Sequence, residues 1–407
     1  MFVAPAAGAA WAQANPFYAG VGQTLTQESN FLRAAEGQLA TRETISTTSL
    51  LLGLDQPIGR QRLFADAALR ANRYHNNGQL NHTDGALLAG LDWSAADAFA
   101  GRLSYSLDKS LARYGADFGF TDQSSVVTQT SEEMALRGQY GLVSLLSVEA
   151  GFVHRRFVFS TPSGGDFNQD AVSSGLKYRP DGALTLGVGL RRTDGTYPNT
   201  PITSTNPAPP PATVTVFEHD DFKRNDLDLT AVWVASGLST VTARLSYTSE
   251  KHERVPSRDV SGSTGAVAWS YKPTGRLNFT ADWIRDTGAE SNFNPGAAGG
   301  LTPIVVNSSP LATTWQLRGE YEASAKIQVL ALVRWFKRDL VNTSGDPGTD
   351  SLVETRLGVN WTPLRSVQVG CSIGREKREA SDTALTFNLS TSYSSSTTRC
   401  LAQFKTQ

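Results

Sequence analysis

Alternate residues along the chain sort into two chemically different sets. In "VAWSYKPTGRLNFTADW", Val267, Trp269, Tyr271, Leu277, Phe279, Ala281 and Trp283 form one set. Ala268, Ser270, Lys272, Arg276, Asn278, Thr280 and Asp282 form the other. A period of two marks a β-strand, whose successive side chains point to opposite faces. Pro273 and Gly275, in the "KPTG" between the runs, predict a tight turn and hence a hairpin.

The same alternation recurs from end to end. Leu87, Ala89, Leu91 and Trp93 oppose Gly90 and Asp92; Leu103, Tyr105 and Leu107 oppose Arg102, Ser104 and Asp108. Leu227, Leu229, Ala231 and Trp233 oppose Asp226, Asp228 and Thr230; Val353, Leu357, Val359 and Trp361 oppose Glu354, Arg356 and Asn360. No helical period of useful length appears. The connections alternate as well. Short ones, such as "DQPIGR", "SAAD", "RPDG", "ASGLS", "KPTG", "EASAK" and "TPLRS", take turns with longer polar ones at 109–130, 194–216, 287–309 and 339–350. Short turns at one end and long loops at the other are the habit of outer-membrane barrels.

An aromatic on the apolar face stands just before each short turn from the second onward: Trp93, Tyr140, Tyr178, Trp233, Tyr271, Tyr321 and Trp361. A soluble β-sandwich or propeller has no reason to repeat an aromatic at one height. A membrane barrel does, because Trp and Tyr settle at the membrane–water interface. Tyr105, Tyr247, Trp283 and Trp335 supply the opposite girdle. The pattern therefore predicts an all-β fold: a transmembrane, antiparallel, up-and-down β-barrel of about 18 strands with a water-filled lumen. The apolar set then faces lipid and the polar set faces water inside. "ASDTALTFNLSTSY" reads either as a strand or as a long last loop. Residues 15–407 make one barrel domain. The Ala-rich segment 1–14 reads as the back half of a secretory signal peptide or as a flexible terminus.

Composition adds exclusions. With 37 basic and 38 acidic residues the formal charge is −1, so nothing draws the chain to nucleic acid. No apolar run approaches the roughly 20 residues of a membrane helix, which leaves the barrel untouched. If the last hairpin joins Ser366–Lys377 to a strand ending near Gln407, equal strand lengths set Cys371 opposite Cys400 on the lipid face. Whether the two thiols are bonded is open at this stage.

Arg far outnumbers Lys, and many Arg residues fall on the lumen side: Arg70, Arg102, Arg137, Arg191, Arg244, Arg276, Arg318, Arg334 and Arg356. Acids share that face: Asp66, Glu149, Asp228, Asp282, Glu320, Glu322 and Glu354. Forked guanidinium donors suit an anionic or hydroxyl-rich solute. The same residues also fit Arg–acid ladders that stiffen the wall. The Pro-rich "TYPNTPITSTNPAPPPATV" reads as a stiff surface loop. Asp339, Asp346 and Asp350 lack the ligand spacing of a calcium loop. No catalytic, cofactor or metal motif accompanies the five His residues, although His154 has lipid-face parity. No enzyme, cofactor or metal is expected.

The first strand, with Glu28-Ser29-Asn30-Phe31-Leu32-Arg33, and the tail "YSSSTTRCLAQFK" resemble the two ends of the exopolysaccharide-operon outer-membrane barrels, the EpsL-like proteins of exosortase-linked gene clusters. The resemblance implies the outer membrane of a Gram-negative bacterium and export of an exopolysaccharide. Its partners would be outer-membrane lipid, the polysaccharide chain and a periplasmic export protein. The tail departs from the usual terminal aromatic, since Phe404 is followed by Lys405, Thr406 and Gln407. Two other functions are compatible with the residues: a general diffusion porin for small solutes, and a barrel that binds surface polysaccharide without passing it.

Overall fold

The fold is that of a computed structural model. It describes residues 16–96, 98–112, 125–141, 144–206, 212–287, 311–341, 347–386 and 390–406, without the side chains of 201–206 and 212–215. The Ala-rich segment 1–14, most of 109–130 and of 287–309, and Asp346 lie outside the described residues.

The strands in chain order are β1 (Phe17–Glu28), β2 (Glu43–Ile58), β3 (Gln61–Tyr74), β4 (His82–Ala95), β5 (Phe99–Leu111) and β6 (Thr128–Tyr140). They continue as β7 (Leu146–Phe159), β8 (Phe167–Tyr178), β9 (Leu184–Asn206), β10 (Ala212–Ser236), β11 (Ser239–His252) and β12 (Val260–Thr274). The last six are β13 (Leu277–Asp286), β14 (Ala312–Ser324), β15 (Ile327–Val341), β16 (Pro347–Leu364), β17 (Val367–Ala380) and β18 (Tyr393–Thr406). Each pairs antiparallel with its chain neighbours in one 18-stranded sheet. The sheet closes because β1 pairs on both sides, with Val21 opposite Phe404 of β18 and Leu50 of β2. Closure leaves no open strand edge around the wall, which a sheet surrounded by lipid requires; the β9–β10 extension beyond it has free edges.

The two faces follow the alternation. Val21, Leu50, Leu136, Val172, Leu229, Leu245 and Leu357 are all exposed on the outer face. Such exposure is costly in water and favourable in hydrocarbon. The belt has a consistent upper limit at the long-loop end. The last apolar outward residue is followed two positions on by a polar one at Val172/Asp170, Leu190/Arg192, Leu227/Asn225, Tyr247/Ser249, Trp335/Lys337 and Ile373/Arg375. At the short-turn end Tyr140, Tyr178, Trp233, Tyr321 and Trp361 are exposed outward. Tyr271 stacks on Trp269 at 5.5 Å, and Trp93 lies over Gly101, where a Cβ would come within 2.2 Å of its ring.

The turns are tighter than the sequence predicts. Ile58 pairs with Gln61, so "DQPIGR" narrows to Gly59-Arg60, with Gly59 at φ +63°. The opening hairpin turns at Gly275-Arg276 and not at the centre of "KPTG". The register shifts between Tyr271 and Thr274, and Thr274 pairs with Leu277. Similar shifts precede the turns after β10, β14 and β16. Each is a bulge that aims the chain into a two-residue turn.

The Pro-rich segment is not simply a loop. β9 and β10 run on past their neighbours as a two-stranded ribbon, paired as far as Asn206 with Ala212. Its β-branched Thr, Val and Ile residues favour extended chain. β8 stops pairing with β9 at Thr196, so Pro198 and Pro201 lie where β9 has a free edge and a missing N–H costs little. "ASDTALTFNLSTSY" is the last loop and carries a short helix, Asp382–Thr386; β18 starts at Tyr393. Cys371 pairs with Cys400, and the two are joined by a disulfide with Cα atoms 4.1 Å apart.

Candidate functional site: the barrel lumen

The inner face of the wall changes character from one end to the other. In the short-turn half it mixes small residues, such as Ser104, Gly175 and Gly187, with long charged ones, such as Arg102, Glu149, Lys177 and Glu320. A recess of about 270 Å³ opens in the wall of β14–β18. Arg318, Arg356, Arg399, Asn360, Gln368 and Ser372 line it, with Leu330 and Leu332. Gly370 makes room there, since a Cβ would fall 2.2 Å from the Asn360 side-chain oxygen. Arg399 feels both Arg356 and Arg70 as like charges. Arg356 and Arg70 have carboxylates of their own, whereas Arg399 has none among the described residues.

Nearly every lumen Arg read from the sequence lies on this face and meets an acid. Arg70 bonds Asp84 at 2.6 Å and reaches Asp108 at 3.3 Å; Arg102 forks onto Asp92. Arg191 reaches Asp226 at 3.1 Å. Arg244 bonds Asp286 at 2.8 Å and lies 3.6 Å from Asp228, which also accepts from Ser246. Arg318 bonds Glu320 at 2.5 Å. Arg334 and Arg356 share Glu354. Glu149 meets Lys177, Asp66 accepts from Tyr18 at 2.6 Å, and Asp282 accepts from Gln316. Arg137 faces the lumen opposite Arg102, exposed and with no acid among the described residues. Arg276 is a correction. It sits exposed in the two-residue turn and lines nothing, because the bulge moves the turn onto it.

Towards the long loops the inner face becomes a packed interior. Phe31, Tyr74, Leu80, Phe157, Phe159 and Phe167 bury one another, with Tyr197 against them. The ring contacts run on through Phe167–Tyr197 at 5.7 Å, Tyr197–Phe222 at 5.5 Å and Phe222–His252 at 5.3 Å. Ala312, Phe336 and Leu352 pack together on β14–β16. The expectation is a water-filled lumen; at this end the inner wall also carries packed aromatic and apolar groups. The loops after β1 and β3 bring Phe31 and Leu80 onto the inner wall, and their apolar groups need partners there.

Charges inside this zone are buried and lie against charges of opposite sign. Arg224 has 1% of its side chain exposed and holds Asp226 and Asp286, each at 2.8 Å, with Glu250 at 3.7 Å. Arg338 bonds Asp350 at 2.7 Å, Ser390 donates to the same carboxylate, and Arg378 lies over Tyr393. Asp350 is therefore committed to arginine and not poised for calcium. His252 lies between Asp220 at 2.8 Å and Glu250 at 3.3 Å. His154 bonds Asp170 on the outer face. Among the described residues no group of His, Cys, Asp and Glu has the arrangement of a metal site.

Sequence reasoning missed Arg224, Arg338, Arg378 and Arg399. Parity would have found them: Arg224 follows from Asp228 and Asp226, and Arg338 from Arg334. Arg224, Arg338 and Arg378 lie beyond the point where the outward apolar set of their strand ends.

No protein-family model and no curated protein sequence matches the chain. Solved structures of similar fold include the outer membrane protein OpdK from Pseudomonas aeruginosa, at 13% identity over 96% of this chain and 98% of that one, with a TM-score of 0.48. OpdO from the same organism is 11% identical over 96% of each chain, with a TM-score of 0.47. OpdK has also been solved with vanillate. The closed, even-stranded wall, its lipid-facing belt and its aromatic girdles are those of a barrel in the outer membrane of a Gram-negative bacterium.

Proposed function

We propose that the barrel is a channel for small hydrophilic solutes and that it prefers anions. The observation that carries this is Arg399. It stands in the wall recess beside Arg356 and within the field of Arg70, with no carboxylate of its own among the described residues. Arg137 adds a second exposed guanidinium on another part of the wall. A ring of fixed positive charge in a narrow aqueous path raises the local concentration of anions and repels cations. Guanidinium forks also suit carboxylates and phosphates.

The resemblance at the two ends favours export of a polysaccharide chain. The aromatic and Arg–acid packing against the inner wall at the long-loop end weighs against it, because a polymer needs a wide path along its whole length. Uptake or diffusion of small solutes is the better supported reading.

Single channels in a planar bilayer under a salt gradient test the proposal. The wild type is expected to conduct with a reversal potential on the anion side. Arg399→Glu, alone and with Arg137→Glu, should move it towards cations. Absence of conductance, or a reversal potential indifferent to both changes, would refute the anion-preferring channel. Block by long acidic polysaccharide and not by small carboxylates would restore the export reading.

A further inference from the structure

The outer face carries an uneven ring of charge where the lipid belt ends. On β13, β14 and β15 the last apolar outward residues are Trp283, Trp315 and Trp335, which are register partners. Trp283 and Trp315 stand 6.0 Å apart between ring centroids. Two residues further towards the long loops, on the same face, come Arg285, Thr313 and Lys337, again in register. On β17 the last apolar outward residue is Ile373, and Arg375 follows it, paired with Thr355.

Arg285, Lys337 and Arg375 are exposed, and none has an ion-pair partner among the described residues. Neighbouring strands lie about 4.8 Å apart, so Arg285 and Lys337 are separated by roughly 10 Å. Arg375 is two strands further on and lower along its strand. A strand tilt of about 40° brings such an offset back to a similar height. The result is a strip of positive charge above a row of indoles. Its acids are few: Glu379 is bonded to Lys377 at 2.6 Å, and Asp339 lies one outward position beyond Lys337.

Part of the rim differs. Where β6–β9 leave the belt, each outward cation has an acid: Arg156 with Glu132 at 3.8 Å, His154 with Asp170 at 2.8 Å, Arg192 with Asp194 at 3.0 Å. Further outward cations without an ion-pair partner among the described residues stand at Arg73 on β3, Lys109 on β5 and the register partners Lys223 and Lys251 on β10 and β11; those on β13 and β15 are set apart by the row of indoles beneath them. Long loops mark the outside of such a barrel, so the strip lies at the outer leaflet. There the headgroups of a Gram-negative cell are sugars bearing phosphates.

We propose that the outer face of β13–β17 binds the phosphorylated sugar headgroup of an outer-leaflet glycolipid. Arg285, Lys337 and Arg375 take its phosphates, Thr313 and Thr355 add hydroxyl contacts, and the three indoles lie against its sugar and upper acyl chains. Guanidinium and ammonium groups give charge-assisted bonds to phosphate oxygens, and indole rings prefer this depth in the membrane. Plain snorkelling of cations to the interface is the simpler account. It predicts no preference for one headgroup and no dependence on this side of the barrel.

Native mass spectrometry of the folded barrel in mild detergent, titrated with lipid A, separates the two. The wild type should hold lipid A, and Arg285→Gln/Lys337→Gln/Arg375→Gln should bind it about ten- to hundredfold more weakly. Lys109→Gln, at the same depth on β5, should bind like the wild type. Phosphatidylglycerol, a single phosphate without the sugar, and lipid A stripped of its phosphates should both bind the wild type poorly. The last two probes need no variant and so do not depend on the triple variant folding. Equal binding of lipid A by wild type and triple variant, an equal loss in Lys109→Gln, or undiminished binding of dephosphorylated lipid A or phosphatidylglycerol would overturn the assignment.

Discussion

Adjacent residues Leu136 and Arg137 give the sharpest test of which face meets lipid. Leu136 is 41% exposed on the outer face, between Leu103 and Phe152 on the flanking strands. It lies between Met134 and Tyr140, within the belt. An Arg placed near the bilayer midplane costs about 2–4 kcal/mol. Loss of the leucine from its apolar contacts adds about 1 kcal/mol, so Leu136→Arg should destabilise the barrel by about 3–5 kcal/mol. Arg137→Leu makes the opposite exchange one position along. Its guanidinium has no acid among the described residues and stands directly opposite Arg102, a like-charge pairing that itself costs up to about 1 kcal/mol. That change should stay within about 1 kcal/mol of the wild type. Reversible guanidinium unfolding in lipid vesicles, followed by tryptophan fluorescence, measures both values. Comparable losses from the two substitutions, or a larger loss from Arg137→Leu, would mean the faces are assigned the wrong way round.

Three further outcomes follow from the same wall. Removing the buried Arg224 as Arg224→Met leaves Asp226 and Asp286 short of a partner, and should cost about 3–5 kcal/mol in the same unfolding assay. A loss under about 1 kcal/mol would show that Arg191 and Arg244 suffice. Peptide mapping without reductant should recover Cys371 and Cys400 in one crosslinked species. Their sequence separation of 29 caps the stability lost on Cys371→Ser/Cys400→Ser at roughly 3–4 kcal/mol; free thiols throughout would contradict the bond. Trp315 and Trp335 should be quenched by lipids brominated near the headgroup and spared by aqueous iodide. Strong iodide quenching of both would remove them from the outer girdle.

Within the belt the wall was legible in the sequence because lipid outside and water inside impose opposite demands on alternate residues. Leu229 and Asp228, or Leu357 and Arg356, need no further context to be placed. Turn positions were less legible. The bulge between Tyr271 and Thr274 costs no hydrophobic pattern, so nothing in "KPTG" announced that Arg276 would leave the wall. Arg399 was hidden for a different reason. Its strand was placed from Cys400 and Phe404, and its inward neighbours Leu401 and Gln403 give no polar run to draw attention to it.

The largest departure has one physical cause, which is that the alternation inverts where a strand leaves the bilayer. Below the boundary the outside is hydrocarbon and the inside is water. Above it the outside is water, and the inside faces loops that must bury their own apolar groups. On β10, Leu227 and Leu229 point out, whereas Phe222 points in and is 2% exposed. On β15 the switch falls between adjacent residues: Trp335 is 46% exposed outward and Phe336 is 3% exposed inward. On β7, Phe152 faces out and Phe157 and Phe159 face in. Read with a fixed face, such stretches look like places where the period fades into loop. Read with a face that changes at the boundary, "RWFKRDL" and "DFKRNDLDL" are regular strands throughout, and the residue at which apolar changes sides marks the edge of the membrane. The same inversion accounts for the buried arginines. Arg224 and Arg338 keep the inward parity of the lumen charges, but at their height the inside is no longer water. They persist there only because Asp226, Asp286 and Asp350 are held against them.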